Sequence, residues 1–366
     1  MSNLPKIFHS LSFPNALVGN PEKVVIGPPT ETFGGDSFEM NSTKKVSLKN
    51  KIFTHATQTL GFDDCRFTDP FLQDHLEESK KWLAENFHGD MKYLEDHLKF
   101  KENPNLLLPG VKSAIVLIKN YKNTSMRRLE GEFKIARYAV GKDYHLVMKE
   151  RLENLVDFLK KENPEMECYA GVDSRPLPER SLALKAGIGF RGKNTMVIKP
   201  GLGSYFFIGV ILTNHSFEND SALNWNCGNC RLCLDACPTQ ALSEFYSLNA
   251  TKCISYKTIE QKDPLTEEEF KKTEGWIFGC DICQEVCPYN HGRTPLTDWK
   301  EFQPDAGVGF DFFKKLSFPN ASVGNPDEIN GSPTKTFGDD NIPKDTSLYR
   351  SRKRVVPNFK LARQTN

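Results

Sequence analysis

Apolar residues between positions 45 and 220 follow two patterns. In 71–86, Phe71, Leu72, His75, Leu76, Trp82 and Leu83 recur at helical spacing, and 144–161 does the same with Leu146, Val147, Leu152, Leu155, Val156 and Leu159. Residues 45–60, 91–98 and 180–186, the last closed by Gly187, read as further helices. The S-A-I-V-L-I within 112–120 is instead a short unbroken apolar run, suited to a buried strand. Residues 61–67, 169–172, 195–198 and 204–213 also read as strands. Mixed helices and strands, then a cysteine-rich helical segment, predict an α+β fold: a body over 45–220 followed by a ferredoxin-like domain over 221–310.

The two ends of the chain show neither pattern. Residues 11–36 read LSFPNALVGNPEKVVIGPPTETFGGD and residues 316–340 read LSFPNASVGNPDEINGSPTKTFGDD, alike at most positions with a one-residue gap. Composition so rich in Pro, Gly, Asn and Thr buries too little apolar surface to offset the entropy of ordering. Two such copies point to a repetitive element inserted at both ends, rather than to a paired functional module, with Met40 as the ancestral start. An N-terminal extension (1–44) and a C-terminal segment with a basic tail (311–366) are therefore expected to be poorly ordered.

The 366 residues leave room for two or three domains of ~100–200 residues each, and 38% apolar with 26% charged residues is ordinary soluble composition. A net charge of +1 gives no global attraction to nucleic acid. Positive charge is concentrated only in the tail, in Arg350, Arg352, Lys353, Arg354, Lys360 and Arg363. No apolar run nears the roughly 20 residues of a membrane helix, and the first residues lack a secretory pattern. A cytoplasmic protein without membrane attachment is expected.

The strongest chemical signal is Cys227, Cys230, Cys233 and Cys237 followed by Pro238, a C-x2-C-x2-C-x3-C-P run. Cys280, Cys283 and Cys287, again followed by a proline, form a second run that lacks one member, and Cys253 lies between the two. In the bacterial ferredoxin arrangement the fourth cysteine of each run serves the other cluster. Cys227, Cys230, Cys233 and Cys287 then hold one [4Fe–4S] cluster, and Cys237, Cys253, Cys280 and Cys283 the second. Zinc would favour separated C-x2-C pairs, and disulfides an exported chain. Cys65 and Cys168 stand alone and read as inert thiols.

A second informative stretch precedes the cysteines. Asp173 leaves a strand into a Pro-rich turn, and A-G-I-G-F-R-G-K-N (186–194) carries three glycines in six residues, which lets backbone approach a bulky ligand. Glycine turns alone are common. With the cysteines, however, the chain resembles the epoxyqueuosine reductases. The matching blocks are L-P-G-V-K-S-A-I (108–115), A-R-Y-A-V-G-K-D-Y-H (136–145), V-D-S-R-P-L-P-E-R (172–180), A-G-I-G-F-R-G-K-N-T (186–195), G-S-Y-F-F-I-G (203–209) and C-I-S-Y (253–256). The resemblance spans roughly 45–290. It departs at K-E-N-P (101–104), where the family shows R-x-D-P, and after about residue 311, where helical sequence gives way to the repeat and the tail.

The resemblance implies reduction of epoxyqueuosine to queuosine in a tRNA anticodon loop, with cobalamin and two [4Fe–4S] clusters. It implies Co(I) attack on the epoxide with Asp173 as proton donor, and an external electron donor such as a flavodoxin or ferredoxin; a monomer is expected. Ala136 and Asp173 match the cofactor pocket, and Lys193, Asn194 and Ser255 are candidate contacts to the corrin amides. No D-x-H-x-x-G motif offers cobalt a lower histidine, and His97 and His145 read as structural histidines on helices. Two other classes stay open. A plain two-cluster electron carrier would lack corrin absorption bands, and a reductive dehalogenase would be expected to bear an export signal.

Overall fold

In the computed structural model, residues 46–123 and 133–304 are described, together with Lys344, Thr346, Ser347 and Asn358; both repeat copies and nearly all of the basic tail lie outside them. Helix α1 (Leu48–Thr54) runs on as a π-helical stretch (His55–Thr59) towards β1 (Asp64–Thr68). Next come α2 (Gln73–Ala84), α3 (Tyr93–Glu102), β2 (Ser113–Asn120), β3 (Lys134–Ile135), α4 (Tyr144–Glu162) and β4 (Cys168–Gly171). Helix α5 (Glu179–Lys185), β5 (Phe190–Arg191), β6 (Val197–Ile198) and β7 (Phe206–Thr213) complete the body. The cysteine-rich part adds α6 (Leu232–Asp235), α7 (Ile254–Ile259), α8 (Glu267–Lys271), β8 (Trp276–Phe278) and α9 (Ile282–Glu285).

The main sheet has the order β1-β2-β7-β4, every pair antiparallel. Every residue of β2 is buried, and every residue of β7 except Ile208. Because strand side chains alternate between faces, Ile115, Leu117, Phe207 and Ile211 enter one core with Ile52 of α1 and with Met148, Leu152 and Leu155 of α4. Ala114, Val116, Ile118, Phe206, Val210 and Leu212 enter a second with Leu182 and Ala183 of α5. Cover on both faces is why these segments read as unbroken apolar runs. Helix α4 approaches β7 closely at Gly209, where a Cβ would stand 3.0 Å from Leu152 Cδ2 and 3.3 Å from Met148 Cε.

Two features depart from the sequence expectations. Residues after the second cysteine run, expected to belong to the cluster domain, return to the body: Trp299 and Phe302 complete the first core. Buried Lys119 donates there to the Gly61 carbonyl (2.7 Å) and to Asp298, and Arg151 pairs with Glu301 at 2.9 Å. Within the C-terminal segment expected to be loose, Thr346, Ser347 and Asn358 are instead buried. The Asn358 amide donates to the carbonyls of Thr258 (3.3 Å) and Ile277 (3.2 Å), two groups at a packed site that need donors. A parallel pairing of β3 with β8 further ties the body to the cysteine-rich part. No helix of the described residues is long and apolar enough to cross a membrane.

Gly209→Val is expected to overpack the α4–β7 contact and to cost about 1–3 kcal/mol, read as a lower midpoint in urea denaturation. A midpoint equal to the parent's would mean that α4 has slack at this position.

Candidate active site and cluster cysteines

All ten cysteines are free thiols. Eight lie close enough to act on one another. Burial pushes the Cys287 thiol up to about 11, and its neighbours Cys227, Cys233 and Cys230 add to the shift. Cys233 is raised by burial and then by Cys227 and Cys230. In the other group Cys280 is raised by burial, then by Cys253 and Cys237, and Cys283 by burial, then by Cys280 and Cys253. Cys283 also feels Cys233 of the first group, so the two groups of thiols lie close to one another. Among the described residues no three ligating side chains converge at single-ion spacing. A cube of four irons is held at its corners, so its sulfurs stand farther apart than the ligands of one ion.

Backbone groups favour the thiolate form that binds iron. Cys253 is bonded by the backbone of Tyr256 and Ser255, Cys280 by Ile282, Cys287 by Tyr289 and Cys227 by Lys193, each lowering the thiol pKa against the effect of burial. Lys193 and Asn194, candidate contacts to the corrin amides, reach the cysteine loops. A buried ammonium needs acceptors, and Lys193 Nζ finds them in the carbonyls of Gly228 (2.7 Å) and Cys230 (2.9 Å). Asn194 Nδ2 donates to the Cys283 carbonyl at 3.3 Å, and both residues line a small cavity with Cys227, Cys230, Cys233 and Cys287. Ser255 lies on α7 beside Cys253.

Asp281, between two of the cysteines, was missed in the sequence. It is 1% exposed and accepts from the Arg137 backbone N–H (2.8 Å) and Gln284 Nε2 (3.1 Å), pinning the second run to the body. An acid with no basic neighbour in a cysteine loop was the only available signal. Close by, Gly279 has φ +68°, and a Cβ there would come within 2.5 Å of the Ala136 Cβ. Ala136 and Tyr138 pack with Ile254, Trp276 and Cys280, so the second thiol group shares a wall with the body.

Across that wall lies Asp173. It follows β4 with φ +44°, a costly backbone for an aspartate, and 63% of its side chain is exposed. Its Oδ2 accepts from Tyr144 Oη at 2.7 Å and lies 2.9 Å from His145 Nε2. His145 Nδ1 lies 2.6 Å from Asp143 Oδ1, the same oxygen that caps α4 by accepting the His145 backbone N–H at 3.0 Å. His145, read as structural from the sequence, therefore spans two carboxylates. Burial pulls its pKa down, but the bonds to Asp143 and Asp173 outweigh that and the net shift is upward.

Tyr138, Tyr144 and Glu179 keep some accessible surface, yet protein crowds them enough that lost hydration dominates their pKa values. Each also feels the charge of Asp173. Tyr138, Tyr144 and Glu179 thus gather around Asp173, the more exposed member of the group. Glu179 Oε1 is buried without a hydrogen-bond partner. Burial first, and then Asp173, raise the Glu179 pKa to about 8, against the pull of its own backbone N–H, Lys101 and Arg180.

Eight cysteine thiols, with Cys280 packed against the part of the body that carries Tyr138, suit an iron–sulfur oxidoreductase. Residues 226–290 match the family model described as 4Fe-4S double cluster binding domain, and residues 101–174 the one described as Epoxyqueuosine reductase QueG, DUF1730. The chain is 38% identical over 267 residues to the epoxyqueuosine reductase of Cyclobacterium marinum, covering 72% of this chain and 86% of that one. It is 40% identical over 250 residues to that of Leadbetterella byssophila, covering 68% and 82%. A solved epoxyqueuosine reductase with a tRNA-Tyr epoxyqueuosine-modified tRNA stem loop aligns at TM-score 0.69 and 30% identity, over 86% of this chain and 80% of that one. The chain belongs to the epoxyqueuosine reductase family.

Cys253→Ala is expected to remove the second cluster and spare the first, halving the iron and sulfide bound after anaerobic reconstitution; an undiminished content would exclude Cys253 as a ligand. A carboxyl whose pKa is higher folded than unfolded destabilises the fold once ionised, so the Glu179 penalty is absent below its unfolded value and grows as pH rises towards about 8. Stability by urea titration should therefore fall between about pH 5 and about pH 8, and Glu179→Gln should flatten that fall.

Proposed function

We infer that this chain reduces epoxyqueuosine to queuosine in the anticodon loop of a tRNA, with two [4Fe–4S] clusters and cobalamin as cofactors. The observation that carries this reading is the shared wall, in which Ala136 and Tyr138 pack against Cys280 on one side while Tyr138 feels the Asp173 charge on the other. An acid and a redox centre thus meet across one layer of side chains. The two sets of thiols, with backbone groups bonded to their sulfurs, suit clusters. The aromatic surface of Tyr138 and Tyr144, whose rings lie 6.0 Å apart, suits contact with a large flat ring, and Ala136, Asp173, Lys193, Asn194 and Ser255 are the residues that would border it. When bound, the clusters supply electrons one at a time and reduced cobalamin supplies the nucleophile for the epoxide.

The chain's own residues do the rest. Opening an epoxide develops negative charge on oxygen, which a carboxyl group at that place neutralises by giving up its proton. Asp173 is aimed by Tyr144, whose hydroxyl is held protonated by burial and by Asp173 itself, and so acts as a fixed donor. Tyr144 is in turn fixed by stacking on Phe207, with ring centroids 4.2 Å apart. The likeness to a reductase solved with a modified stem loop supports tRNA as the partner. The electron donor is proposed to be a small flavodoxin- or ferredoxin-type protein. The basic tail, a further candidate for tRNA contact, lies outside the described residues apart from Asn358.

Asp173→Asn is expected to leave the visible spectra of clusters and cobalamin intact and to lower turnover on epoxyqueuosine-containing tRNA by ~10²–10⁴-fold. Turnover within a few-fold of the parent would remove Asp173 from the role of acid.

A further inference from the structure

Reduction of an epoxide to an alkene sends two protons to one oxygen. Both C–O bonds break, two electrons arrive from a one-electron donor protein, and the oxygen leaves as water. A carboxyl group carries a single proton, so for Asp173 to deliver both it has to be reloaded between the two transfers. The His145 ring has Nδ1 2.6 Å from Asp143 Oδ1 and Nε2 2.9 Å from Asp173 Oδ2. A neutral imidazole owns one N–H and can donate to only one of those oxygens. For both contacts to be hydrogen bonds, the three groups must hold one proton more than a neutral ring between two carboxylates.

We propose that Asp143, His145 and Asp173 form a proton relay, in which His145 returns a proton from Nε2 to Asp173 once the carboxyl has spent its first. The proposal rests on the reading of Asp173 as the acid. After the transfer His145 is left neutral with its Nδ1–H on Asp143, and it regains the Nε2 proton from water before the next cycle. His145 and Asp143 act through Asp173, so they are positioning and supply residues. Among the described residues, further groups face the relay. The Tyr144 ring lies against His145, with centroids 3.9 Å apart, and its hydroxyl keeps its proton. Glu179 and Arg180 of α5 and Tyr138 are coupled to Asp173, while Asp281 and Glu260 of the cysteine-rich part act on Tyr138.

His145→Gln can still bond to a carboxylate but has no titrating proton. In the enzyme reconstituted with both clusters and cobalamin, it should lower kcat by ~10²-fold with KM for the tRNA unchanged. His145→Ala should regain rate on addition of imidazole. Asp143→Asn should move the fall of kcat at high pH to lower pH. Apart from turnover, the His145 ring resonance, assigned by its loss in His145→Gln, should titrate above the ordinary histidine value and drop in Asp143→Asn. The relay is overturned if His145→Gln turns over within twofold of the parent, if imidazole fails to rescue His145→Ala, or if the ring titrates at or below the ordinary value. Asp173→Asn measured alongside separates the two claims. If it is inactive while His145→Gln is normal, the relay alone fails; if it is active, the reading of Asp173 as the acid fails.

Discussion

Strands β2 and β7 run antiparallel from Ser113↔Thr213 to Asn120↔Phe206, and a core lies against each face. A slip of one residue would exchange the two faces and send every side chain to the wrong core. The register therefore decides where α4 and α5 lie, one on each side of the sheet. It also decides where the helices begin, since Asp143 caps the start of α4 and the loop after β4 carries Asp173 towards the start of α5. The contact between His145 and Asp173 is a consequence of how these two central strands pair.

Much of this was legible in the sequence. The S-A-I-V-L-I run marked a strand buried on both sides because it lacks a period of two, and Gly187 marked the end of α5 because its φ of +74° suits glycine. The pairing of β3 with β8 was not legible, since strands of two and three residues carry no pattern. His145 was read as structural because it meets Asp173 across 28 residues of chain, a distance that no local pattern reports. The sequence did contain one hint, an Asp-Tyr-His triplet at a helix start, where the cap position puts a carboxylate beside the histidine.

The cysteines were legible because four thiols on one loop leave few chemical options. What the spacing could not reveal is the support around them. Lys193 holds the first loop through two carbonyls, and Asp281 fixes the second to the body through the Arg137 backbone. Ser204, Gln284 and Asn290 form a buried polar network between the start of β7 and the second run, with contacts of 2.7–2.9 Å. Lys193, Arg137 and Ser204 are far from the cysteines in sequence, and each restrains a loop that carries the sulfurs.

Trp299 and Phe302 anchor the far end of the cysteine-rich part to the body, as strand β7 does its near end. The segment between is a loop closed at both ends, so its eight thiols are confined to a small volume even when they hold nothing. Confinement of this kind raises the effective concentration of each sulfur for a half-built cube, favouring completion over escape of iron. The same closure works in reverse. A filled cluster draws the loop ends together, and the free energy of cofactor insertion is then shared with a core that contains no cysteine ligand at all.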